Sequence, residues 1–79
     1  MKIELVTAVE QYTIDVATKL RLKNKMSMRE FGEIIGSGTS FVGSVENPNY
    51  KSKYNLKHIN LFADHFGISP KEFLPEVPL

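Results

Sequence analysis

Residues 27–47 read SMREFGEIIGSGTSFVGSVEN, and this stretch decides the fold. Ser27 and Glu30 have capping-box spacing, in which each side chain satisfies an amide left free at a helix start. Met28, Phe31, Gly32 and Ile35 then recur at helical spacing as one buried stripe. The helix stops at Gly36, because glycine takes the left-handed conformation that ends many helices. After Gly36-Ser37-Gly38 a second short helix runs roughly from Thr39 to Asn47. Phe41, Val42 and Val45 share one of its faces, and Thr39, Ser40, Gly43, Ser44 and Asn47 share the other. Pro48 bars its continuation, since proline brings no N–H to the ladder.

The flanks read as helix too. Thr7 and Glu10 form another capping box, and Val9, Tyr12, Val16 and Leu20 then fall on one face of a helix that fades near Asn24. Residues 1–6, MKIELV, precede it as a loose arm or a short extended segment. Residues 48–54, PNYKSKY, are a polar loop. Asn55 caps a further helix with the stripe Leu56, Ile59, Phe62, Ala63 and Phe66, ended by Gly67. Ser69-Pro70-Lys71-Glu72 opens a last piece of one or two turns, with Pro at the first helical position. Phe73 and Leu74 close the core, and residues 75–79 form a tail. The expectation is one all-α domain of five helical pieces over residues 7–74.

Composition narrows the function. With 79 residues there is one domain, and 42% hydrophobic content suits a packed core and not a disordered tail. There is no cysteine, which excludes a disulfide framework and thiolate-held zinc. No apolar run approaches the roughly 18 residues of a membrane span, and Glu4 and Glu10 interrupt the place a secretory signal would occupy. The expected setting is soluble and cytoplasmic, with no membrane partner. Net charge is only +1, yet residues 19–57 hold eight basic and three acidic side chains. That basic middle forms either one positive face or ordinary solvated surface.

Two short helices joined at a glycine turn fit a helix-turn-helix. The B-DNA major groove admits one helix, which must be exposed on one side and held rigidly from behind. Phe41, Val42 and Val45 supply the hold, and small polar residues on the outer face let the backbone come close to bases. The start of the preceding helix aims free amides at a phosphate. From their chemistry, Lys23, Lys25, Arg29, Tyr50, Lys51, Lys53 and Tyr54 are the candidate phosphate contacts.

The same stretch resembles the helix-turn-helix of the phage-repressor and Cro-like group, the XRE family. The markers are Ser27, Gly36, the pair Val42 and Val45, and Glu46; FADHFGISPKEFL at 62–74 resembles the group's closing pattern. The likeness covers about Ala8 to Leu74. It implies a five-helix lambda-repressor-like DNA-binding domain, binding of operator double-stranded DNA as a repressor-type regulator, and a homodimer. It also implies an Arg21–Glu46 ion pair that holds the recognition helix and leaves Arg21 near the phosphates. Base reading falls on Thr39, Ser40 and Ser44, where better-known members carry longer side chains. Met28 stands in place of a frequent Gln, Gly32 replaces the usual Ala as a small weakening of the helix, and the loop from Asn47 to Asn55 is longer than usual.

No catalytic residues, cofactor or metal are expected. His58 and His65 are two turns apart without a third ligand, and read as exposed side chains opposite the core stripe. Gly36-Ser37-Gly38-Thr39-Ser40 lacks phosphate-loop spacing. Ile14, Leu22, Ile34 and Leu61 fall off the core stripes; clustered, they would mark a dimer or partner surface. The competing functional readings are an antitoxin-like module that grips a toxin-like protein, and a domain that has lost DNA binding.

Overall fold

The structure is a computed structural model, and it describes residues 5–79; the first four residues of the expected N-terminal arm lie outside them. Four α-helices follow in order, α1 (Ala8–Lys23), α2 (Met28–Ile34), α3 (Thr39–Glu46) and α4 (Leu56–Phe66), and a single 3₁₀ turn, Pro70–Phe73, closes the chain. No strand occurs among the described residues.

The helix starts follow the sequence. Thr7 Oγ1 accepts the Glu10 N–H at 3.3 Å, and Glu10 Oε1 accepts the Thr7 N–H at 2.9 Å. Ser27 and Glu30 repeat this at 3.0 and 2.9 Å. Three helix ends also share one pattern, a 6→1 and a 5→2 backbone bond around a left-handed residue. Met26 N–H reaches Arg21 O and Lys25 N–H reaches Leu22 O; Ser37 and Gly36 do the same to Gly32 and Glu33, and Ile68 and Gly67 to Ala63 and Asp64. The left-handed residues are Lys25 (φ 55°), Gly36 (φ 71°) and Gly67 (φ 67°).

The core is aromatic. Phe31 of α2 stacks on Phe62 of α4 with centroids 4.2 Å apart, Phe73 lies nearly parallel to Phe62 at 6.3 Å, and Tyr54 meets Phe62 edge-on. Val42 and Val45 of α3 are fully buried beside them. Thr13 Oγ1 donates a buried bond to the Phe73 carbonyl at 3.0 Å, tying α1 to the closing turn.

Several expected faces are corrected. Helix α1 buries Thr13, Ile14 and Ala17. Val9 and Tyr12 remain exposed, because the polar Thr13 finds a partner inside and the helix turns that side inward. Leu56 stands in solvent. Of the four apolar residues expected off the stripes, Ile14 is core, Ile34 and Leu61 pack against it, and Leu22 alone is exposed, so they form no common patch.

Candidate nucleic-acid interface

The site is built around α3. Its start at Gly38 has no side-chain cap, and the exposed Thr39 and Ser40 open the helix. Gly43 and Ser44 are half-buried one turn on. Behind them Val42 and Val45 seat the helix, and Phe41 packs on Tyr54 and His58 at 6.0 and 5.2 Å.

Two contacts fix α3 in place. The α2–α3 turn folds down onto Gly32, where a Cβ would lie 2.8 Å from the carbonyl oxygens of both Ser37 and Gly38. Gly32 is therefore a packing requirement of this turn and not merely a weak helix former. At the other end, Arg21 donates from Nε and Nη2 to the two Glu46 oxygens at 2.8 and 2.7 Å, and from Nη1 to the Met26 carbonyl at 3.0 Å. The Glu46 bond raises the Arg21 pKa further against the burial that opposes it. Both side chains are only 11% exposed, and the expected pair forms.

The expected cations come from the end of α1, the start of α2 and the segments that leave α1 and α3. Lys23, in the last turn of α1, is exposed beside Lys19, Leu20, Ile68 and Glu72, and Lys25 is exposed in the connection that follows. Arg29 sits in the first turn of α2, and the neighbouring Met28 sulfur lies 3.8 Å from where a Cβ on Gly43 would be, so that turn flanks the middle of α3. Tyr50 and Lys51 are exposed in the loop that leaves α3. Lys23, Lys25, Arg29 and Lys51 make no ion pair among the described residues. Lys53 is drawn the other way, its Nζ 3.4 Å from Glu10 in the first turn of α1.

One expected contact fails. Tyr54 is no phosphate contact: it is buried, packed among Phe31, Phe41 and Phe62, and its hydroxyl meets neither solvent nor a partner. Burial pushes its pKa well up, so it stays protonated. At the start of α2 the Glu30 carboxylate, its pKa lowered chiefly by the Ser27 N–H, accepts that N–H at 2.9 Å and places a negative charge in the helix's first turn.

His58 is more than an exposed side chain. Its Nδ1 accepts the Asn55 N–H at 3.1 Å while Asn55 Oδ1 accepts the His58 N–H at 2.9 Å, a capping box with imidazole in place of carboxylate. The Asn-x-x-His spacing carried that signal in the sequence.

The chain matches no protein-family model, no curated protein and no solved structure. Among the described residues no helix is long and apolar enough to cross a membrane.

Proposed function

We propose that this chain is a double-stranded-DNA-binding module of the helix-turn-helix kind, similar to the XRE group, that regulates transcription at an operator. The observation that carries the reading is the mounting of α3: its back is held by the fully buried Val42 and Val45, while its first turn bears the exposed Thr39 and Ser40. A helix fixed from behind and slim in front suits the major groove.

Thr39, Ser40 and Ser44 then read base edges, with the Thr39 methyl suited to a thymine methyl. Short hydroxyls discriminate weakly, so part of the specificity comes from DNA shape and bridging water. Lys23, Lys25, Arg29 and Lys51 release counterions, and Tyr50 adds a hydroxyl contact. Arg21 and Glu46 hold α3 without touching DNA.

Fluorescence anisotropy with a labelled duplex over a salt series tests the assignment. Four phosphate-bound cations give a log–log slope of about −3.6 per chain. Lys51→Ala lowers its magnitude by about one, with an equal loss on every sequence. An affinity that does not change with salt counts against the proposal.

A further inference from the structure

The two ends of α3 are held by different means. Its last turn carries the Arg21–Glu46 pair, whereas its start at Gly38 has no side-chain cap. Thr39 and Ser40 stand exposed there, and the next residue, Phe41, packs against the core. The Phe41 ring meets two others: Tyr54 edge-on with centroids 6.0 Å apart, and the His58 imidazole, tilted by 56° at 5.2 Å. The imidazole is fixed in turn by the start of α4. Its Nδ1 accepts the Asn55 N–H at 3.1 Å, and its ring stands nearly perpendicular to Tyr54 at 6.0 Å. One hydrogen bond at the α4 cap therefore sets the surface on which the first turn of α3 rests.

That bond requires a neutral imidazole with a bare Nδ1. A proton on Nδ1 sets two donors face to face, Nδ1–H and the Asn55 N–H, at a helix start whose free amides already disfavour a cation. The groups around the ring do not offset this. Lys57 is its charged neighbour on α4, Tyr54 from the loop stays protonated because burial pushes its pKa up, and Phe41 brings no charge from α3. No carboxylate acts on the ring among the described residues. The attraction of a partly exposed imidazolium for the Phe41 face is small beside a lost cap and two opposed donors. The protonated ring therefore swings off Asn55, and Phe41 loses one of its two ring partners.

We propose that His58 is a positioning residue for the start of α3: neutral, it holds Phe41 and with it the turn that carries Thr39 and Ser40; protonated, it releases that turn. Its effect on DNA binding rests on the proposed function, whereas the coupling of His58 to the first turn of α3 does not.

Amide nitrogen relaxation of the full chain without DNA, between about pH 7.5 and about pH 5, reads the coupling directly. The Thr39 and Ser40 order parameters are expected to fall from about 0.85 toward about 0.6, in step with the titration of the His58 ring signals, while Val45 stays near about 0.85. His58→Phe keeps the ring and removes the titration, so its α3 start stays rigid throughout. His58→Gln keeps an acceptor for Asn55 without the ring, so its α3 start is loose throughout. A residue that only caps α4 would reverse the order of these two variants. Duplex affinity at fixed ionic strength is expected to follow, with the wild-type Kd rising about fivefold or more relative to His58→Phe over the same range. The wild-type titration carries the test should a variant unfold. Thr39 and Ser40 signals indifferent to the His58 titration, or a pH step that persists in His58→Phe, overturn the proposal. A chain that binds no duplex at any pH overturns the proposed function instead, and the order parameters still decide the coupling.

Discussion

Arg21 grips Glu46 at both carboxylate oxygens, at 2.8 and 2.7 Å, across 25 residues of chain. Its remaining contact, to the Met26 carbonyl, ties the same guanidinium to the connection between α1 and α2. One side chain therefore fixes the end of α3 against two other parts of the fold. Arg21→Ala strands a largely buried carboxylate and is expected to cost about 2–3 kcal/mol in urea unfolding. Arg21→Lys keeps the charge but loses the fork, and is expected to recover less than half of that. A change below about 0.5 kcal/mol for Arg21→Ala would mean the clasp contributes nothing.

Gly32 and Gly43 make opposite predictions from the same chemistry. Alanine gains about 1 kcal/mol of helix propensity over glycine at either place. At Gly32 the new methyl meets two backbone carbonyls at 2.8 Å, and the strain of moving the turn exceeds that gain, for a net loss of about 1–2 kcal/mol. At Gly43 only the flexible Met28 sulfur is near, at 3.8 Å, and alanine stabilises by about 0.5–1 kcal/mol. Thermal unfolding of both variants checks the contrast, and equal signs would refute it.

Tyr54→Phe removes a hydroxyl that is buried without a partner. The expected result is unchanged or higher stability, by up to about 1 kcal/mol, with unaltered DNA affinity. Tyr50→Phe, at an exposed position, is expected to weaken DNA binding and leave stability alone. A loss of DNA affinity in Tyr54→Phe would return that residue to the phosphate contacts.

These residues also mark where the sequence is legible. Caps and stops depend on local chemistry, so Thr7, Ser27, Asn55, Gly36 and Gly67 were readable and the four α-helices fall where they predict. Burial depends on neighbours far along the chain. Thr13 is buried with its hydroxyl bonded to the carbonyl of Phe73, 60 residues away, and α1 packs through Thr13, Ile14 and Ala17 while Val9 and Tyr12 stay exposed. Tyr54 looked like a loop phosphate contact because PNYKSKY is polar, but the loop returns it to the aromatic core. Lys25 takes the left-handed position that glycine usually fills, and no local pattern announces it. The outward face of α3 with the exposed Thr39 and Ser40 is legible because a short helix with a two-valine back leaves only one face for solvent, whereas a base-reading role there is implied only by the family resemblance.

The His58 imidazole is held below its ordinary 6.5, first by burial and second by Lys57, with Tyr54 and Phe41 packed against its ring and no acid facing it. Neutral Nδ1 must accept the Asn55 N–H, and a proton there ends that bond. Unfolding returns the pKa to 6.5, so below that value the unfolded chain binds more protons and stability falls as the pH drops toward the folded-state pKa. His58→Gln retains an acceptor for Asn55 and removes the titration. Urea unfolding between about pH 5 and pH 6.5 is expected to show a slope in the wild type that the variant lacks. Identical slopes would exclude His58 as their source. The depressed carboxyls of Glu10 and Glu30 act lower, with stability lost below their ordinary 4.5.

The most direct test of α3 as the reading helix is selection from a random duplex pool, run in parallel on the wild type and on Ser40→Asp. Ser40 is exposed, so the variant keeps the fold and places a carboxylate where a base edge or phosphate must come. The expected result is an enriched sequence for the wild type and, for the variant, lost enrichment with binding weakened about tenfold or more. A wild type that recovers no sequence and binds no duplex even at low salt, or a variant that selects the same sequence with the same affinity, would contradict the account.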